Sequence, residues 1–153
     1  MKKLIVVVIL FSLNITTFSY AQTKRSQKEI FQVTYKSSKD LVASRHFQFV
    51  GELVYNAAKR EKLESNSNGI RLNKTKVSGT LKALGKANKR VDITGVIMNY
   101  NASYDDDKQS ISVDFLVNGN KVHIDILPNG KALITSNLAN ANAMTWLGKL
   151  IKL

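Results

Sequence analysis

Residues 110–136 read SISVDFLVNGNKVHIDILPNGKALITS, and this stretch decides the fold. Ile111, Val113, Phe115 and Val117 alternate with Ser112, Asp114 and Leu116, the two-residue period of a strand with one buried face. Asn118-Gly119 is the pair that a tight type I′ hairpin turn favours, and Val122, Ile124 and Ile126 then return antiparallel. Pro128-Asn129-Gly130 makes a second turn into a strand over Ala132–Ser136. Three strands joined by short turns form a β-meander.

Working toward the N-terminus, Val91, Ile93, Gly95 and Ile97 alternate in one strand whose faces both become apolar toward Tyr100, which predicts cover on both sides there. Asp105–Lys108 turns that strand into the meander. Ile70 and Leu72, then Val77 to Leu84, predict two short strands around the turn NKTK at 73–76. Residues 57–69 are polar and read as a loop. From His46 the period is again two: Phe47, Phe49, Gly51, Leu53 and Tyr55 share a face, and Gly51 marks a bulge. Ahead of it, Ser26 and Glu29 have capping-box spacing, which starts a helix over about Gln27–Val42 with an apolar stripe of Ile30, Phe31, Val33, Tyr35, Leu41 and Val42. The tail from 138 to 153 fits helix or strand equally: Met144, Leu147, Leu150 and Ile151 have one spacing, Met144, Trp146, Gly148 and Leu150 the other.

The first residues carry a targeting pattern. Lys2 and Lys3 precede an apolar run, Leu4–Leu13, about half as long as a bilayer span requires. Ser19 and Ala21 sit where signal peptidase reads small residues, so cleavage is expected after Ala21. The mature chain, 22–153, is then one β-rich domain without a transmembrane segment, periplasmic or secreted. The chain has no cysteine, which excludes an acyl anchor, disulfides and thiol chemistry. Net charge is +12, or +10 without Lys2 and Lys3. Such an excess favours encounter with polyanions. Two local clusters stand out, Lys59, Arg60 and Lys62 in KREK, and Lys86, Lys89 and Arg90 in KANKR.

These segments resemble a known family. HFQF at 46–49, SNGIRLNKTKVSGTLKALGKA at 67–87, DITGVIMNY at 92–100 and the run from 110 to 137 are similar to exported proteins of Bacteroidetes grouped as domain of unknown function 4251. The resemblance covers nearly the whole chain from about Gln27. It implies a signal peptide, an N-terminal helix and a β-rich remainder that ends in a strand, here Ala143–Leu150. Many relatives have a lipoprotein cysteine and an aromatic segment where this chain has Leu81–Ala87. The family has no known catalytic residue, so none is carried over.

The fold expected is therefore α+β, mainly β: an N-terminal helix on an antiparallel meander sheet of about seven or eight strands, able to curl into a barrel. Chemistry is sparse. A zinc site needs three or four ligands, and the chain has two histidines, His46 and His123. His123 and Asp125 share a strand face, an acid–base or metal-edge candidate whose simpler reading is a solvent-side pair. Asp105, Asp106 and Asp107 offer oxygens to calcium but lack the D-x-D-x-D-G spacing. GTLKALGK at 79–86 has one residue too many for a phosphate loop, and Ala87 replaces its hydroxyl. No cofactor or metal is expected. Tyr100, Tyr104 and Trp146 lie near strand ends among polar neighbours and are candidates for a stacking surface. The leading expectation is a non-enzymatic binding or envelope-associated protein whose basic clusters meet an anionic envelope component or another envelope protein. The alternatives are a small hydrolase using His46 or His123, and an accessory subunit of an envelope assembly.

Overall fold

The structure is a computed structural model that describes residues 26–64, 67–85, 89–136 and 144–153. The leader, Lys86 and Ala143 lie outside the described residues. Helix α1 (Gln27–Ser44) begins as its capping box requires: Glu29 N donates to Ser26 Oγ at 3.3 Å and Ser26 N to Glu29 Oε2 at 3.1 Å. It ends on Arg45 in the left-handed conformation, φ 51°. The helix runs through the polar KSSK because its inner face is Phe31, Tyr35, Ser38 and Val42, a helical repeat that includes a serine. Ile30 and Val33, placed in the stripe by sequence, are exposed.

Ten strands follow: β1 (His46–Tyr55), β2 (Arg60–Lys62), β3 (Gly69–Asn73), β4 (Lys76–Lys82), β5 (Arg90–Asp92), β6 (Gly95–Asp105), β7 (Ser110–Val117), β8 (Asn120–Ile126), β9 (Lys131–Ser136) and β10 (Met144–Lys152). All pairings are antiparallel, in the order β10-β9-β8-β7-β6-β4-β3-β1, and β1 pairs back with β10. Eight strands thus close a barrel, with β2 and β5 as short additions on β1 and β4. Closure removes the exposed edges that an open sheet would present. The interior is filled by alternate residues, the largest being Trp146, Phe47, Phe49 and Phe115. Helix α1 lies against β1, β10, β6 and β7.

Three of the strand assignments also differ from the sequence reading. The segment 57–69, read as loop, contains β2. The strand read from Val91 to Tyr100 is two strands. Ile93 is buried between them, donating its N–H to Gly79 O at 2.9 Å, so β4 pairs with β5 through one half and β6 through the other. Cover on both sides toward Tyr100 is not found at Val96 and Met98, which are exposed; a bulge between Met98 and Asn101 then turns Tyr100 under α1.

Candidate ligand-binding surface

The basic cluster at 59–62 and Arg90 are joined at one rim of the barrel through Lys82, which ion-pairs with Glu61 and is the register partner of Arg90. Asn56 builds the turn after β1: its Oδ1 accepts from Ala58 N at 2.9 Å and Lys59 N at 2.8 Å, and its own N–H donates to Lys59 O at 2.9 Å. That turn folds β2 back along β1, pairing Tyr55 with Arg60 and Leu53 with Lys62. Glu61, on the opposite face of β2, is ion-paired with Lys82 of β4, whose register partner on β5 is Arg90. The hydrogen bond from Lys82 holds the Glu61 carboxyl below the usual carboxylate range. Arg90 is committed to the fold, bonding Thr80 Oγ1 at 2.9 Å and the Ser67 carbonyl. Buried Asn68 completes the rim, donating to Glu64 O and accepting from Lys82 N, each at 2.9 Å. Lys59, Arg60, Lys62 and Lys89 stay exposed. Lys86 lies outside the described residues.

Beside this rim is a cleft of about 570 Å³ lined by Leu53, Tyr55, Asn56, Ala57, Ala58, Lys59, Arg60, Leu133 and Leu147. Its floor is a ladder of leucines across the outside of the barrel, since Leu53 pairs with Leu147 and Leu147 with Leu133. The sequence reading placed Leu53 and Tyr55 on the inner face. The bulge at Gly51 is where expected, but its extra residue, Glu52, inverts the alternation beyond it: Val54 is fully buried, while Leu53 and Tyr55 face outward. An apolar floor with two cations at its edge suits an anion that carries a hydrocarbon part.

The three aromatic candidates do not form one surface. Trp146 is 1 % exposed, and its Nε1 donates to Lys82 O at 2.8 Å. It belongs to the core because strand alternation turns it inward with Met144 and Gly148. Tyr100 and Tyr104 sit at the helix. Tyr100 Oη donates to Val42 O at 3.0 Å under the Arg45 guanidinium, and burial pushes its pKa up to about 12. Lys39 Nζ lies 5.2 Å from the Tyr104 ring.

The acidic turn is likewise spent on the helix. Asp106 Oδ1 accepts from Tyr35 Oη at 2.6 Å and Lys39 Nζ at 2.8 Å, and Asp105 accepts from Lys108. Asp105 and Asp106 therefore satisfy the chain's own donors, and among the described residues no group of acids and histidines is arranged to hold a metal ion.

His123 lies on the outer face between two carboxylates, Nδ1 3.0 Å from Asp114 Oδ1 and Nε2 3.0 Å from Asp125 Oδ2. Ser112 Oγ donates to Asp125 at 2.7 Å, so the nearby hydroxyl faces an acid and not the imidazole. Partial burial pulls the His123 pKa down, but the hydrogen bonds and charges of Asp114 and Asp125 outweigh it and the net shift is upward. When the imidazole is protonated, both nitrogens donate to these carboxylates and the ring has no lone pair with which to accept a proton. A histidine raised in the folded state stabilises fully below its unfolded value of about 6.5, and that stability is lost as pH rises through the folded value. The stability gap between the native chain and His123→Gln should thus be widest below about pH 6.5 and shrink as the pH rises above it in thermal melts. A gap that widened with pH would contradict the clamp.

Among the described residues, no helix is long and apolar enough to cross a membrane. No curated protein matches the sequence. A DUF4251 family protein from Bacteroides eggerthii DSM 20697 has a similar crystal structure, with a TM-score of 0.68 and 19 % identity over 82 % of this chain and 92 % of that one. At that identity the likeness is one of fold. The family model described as "Domain of unknown function (DUF4251)" matches residues 28–150, spanning the helix, the barrel and the basic rim, and the chain belongs to that family.

Proposed function

We propose that this chain is an exported binding protein that holds an anionic amphiphile of the cell envelope at the β1–β2 rim. The observation that carries the reading is the leucine floor of Leu53, Leu133 and Leu147 lying directly beside Lys59 and Arg60. Charge alone would fit any polyanion, and an apolar cleft alone any lipid. Together they select a molecule with both characters, such as a phospholipid or lipid A headgroup with the first carbons of its chains. Export rests on Lys2, Lys3, the run Leu4–Leu13 and the small residues Ser19 and Ala21.

The hydrolase alternative loses support from His123, whose two nitrogens are both held by carboxylates.

The test is co-sedimentation of residues 22–153 with vesicles of phosphatidylglycerol in phosphatidylcholine. Binding is expected at about 20 mM salt and should fade toward about 500 mM as charges are screened. Vesicles of phosphatidylcholine alone should not bind. Each cation near an anionic surface contributes about 1 kcal/mol, so the double variant Lys59→Glu, Arg60→Glu should bind at least about tenfold more weakly. Equal binding by the variant, or none by the native chain at low salt, overturns the reading. N-terminal sequencing of cell-fractionated protein tests export, with Gln22 the expected first residue.

A further inference from the structure

The far end of β1 carries a second groove on the outside of the barrel. It has a volume of about 700 Å³, and its lining includes His46, Arg71, Asn73, Lys76, Val96 and Leu153. Strand register brings these side chains together. His46 pairs with Asn73, Asn73 with Lys76 and Lys76 with Val96, one continuous outward row across four strands. In the adjoining row Gln48 pairs with Arg71 and Arg71 with Ser78. Neither Arg71 nor Lys76 belongs to the basic clusters visible in the sequence. Only the sheet makes them neighbours.

Three features mark this groove. Arg71 is held in place at one nitrogen, its Nε donating to Gln48 Oε1 at 3.1 Å, which leaves the two terminal nitrogens of the guanidinium for another acceptor. Among the described residues, no carboxylate forms an ion pair with Arg71 or Lys76. Val96, 59 % exposed, and Leu153 put apolar surface beside the cations. Among the described residues, no aspartate or glutamate side chain lines the groove. Asp92 accepts the Thr94 hydroxyl at 2.6 Å. Asp40 lines a neighbouring cleft that shares His46 and also contains Lys152.

We infer that this groove is a second anion site, which takes a carboxylate or phosphate group carrying a short apolar chain. The guanidinium fork matches two oxygens of such a group, Lys76 adds a point charge, and Val96 with Leu153 receives the chain. The site is independent of the β1–β2 rim. The two lie toward opposite ends of β1, whose ten residues span about 30 Å, and share no lining residue.

Four probes test it by amide NMR titration: octyl phosphate, octanoate, inorganic phosphate and octyltrimethylammonium. Octyl phosphate or octanoate should move the amides of Asn73, Lys76 and Val96 saturably, and the cationic probe should not. Whichever alkyl anion binds more tightly names the headgroup, and weaker binding of inorganic phosphate measures what the apolar chain adds. The double variant Arg71→Gln, Lys76→Gln should bind at least about tenfold more weakly. Both side chains are exposed, so an unchanged amide spectrum elsewhere confirms that the variant is folded. Lys59→Glu, Arg60→Glu should leave this titration unaltered, so the rim reading can fail while this one stands. No saturable shift with either alkyl anion, or equal binding by the Arg71, Lys76 variant, overturns the inference.

Discussion

Replacing Gly148 with alanine should destabilise the chain by at least about 4 kcal/mol, enough to leave much of a marginally stable domain unfolded. Gly148 faces Gly51 in the β1–β10 ladder that closes the barrel. A Cβ there would lie 2.0 Å from Val50 O and 2.8 Å from both Val50 C and Phe49 Cζ. Two of those atoms are backbone and the third belongs to a fully buried ring, so no flexible side chain can give way. Relief requires β10 to move from β1, which opens the seam and exposes Phe49. Two other glycines provide controls. Opposite Gly148, a Cβ on Gly51 meets its nearest atoms at 3.3 Å, so Gly51→Ala should cost less. Gly119 has φ 77° but nothing within 4 Å, and its alanine variant should cost about 1 kcal/mol through backbone strain alone. Urea unfolding followed by circular dichroism orders the three. If Gly148→Ala proved as stable as Gly119→Ala, the tight closure of β10 on β1 would be wrong.

The legible parts of the fold are those in which local chemistry and tertiary packing agree. In the 110–136 meander, alternation fixes the faces and Asn118-Gly119 fixes the turn, with φ of 49° and 77° as a type I′ turn needs. The capping box was legible for the same reason. The closing segment was ambiguous because MTWLGKLIK satisfies both periods. Pairing with β1 on one side and β9 on the other makes it a strand, and that information lies some ninety residues away in one case. Strand β2 was illegible because REK has no apolar pattern of its own. It is a strand because Asn56 turns the chain and β1 offers its unpaired edge beyond β3.

For the binding surface the balance is reversed: the cations were legible and the floor was not. KREK and KANKR stand out as clusters, yet nothing in them announces that Glu61 and Arg90 are spent on holding the rim together. Leu53, Leu133 and Leu147 come from three separate segments, and only strand register makes them adjacent. Leu53 shows the mechanism most directly. One extra residue at Glu52 moves every later side chain of β1 to the other face, so a correctly located bulge still gave an inverted assignment. Trp146 shows the opposite error, where polar sequence neighbours implied exposure and the pleat dictated burial.

Trp146→Ala should destabilise the protein by about 3–5 kcal/mol, the usual loss for removing a large buried aromatic. Trp146 is in register with Val54 on β1 and Ile134 on β9, both fully buried, so truncation leaves a cavity bounded on two sides by strands. The indole also acts at a distance in sequence, since its Nε1 bonds the carbonyl of Lys82 on β4 across the barrel interior. Lys82 in turn holds Glu61 between Arg60 and Lys62, so the core residue steadies the rim that carries the proposed function. Trp146→Phe separates the two roles. It keeps most of the volume but leaves the Lys82 carbonyl without its donor, which should cost about 1–3 kcal/mol. In a folded population, Trp146→Phe should also weaken binding to anionic vesicles, whereas a core variant remote from Lys82, such as Val113→Ala, should lower stability without changing affinity. Since Trp146 is the chain's one tryptophan, the native protein reports its own unfolding through a red shift of indole emission. Emission that is already solvent-like in the native state would contradict the buried position on which both expectations rest.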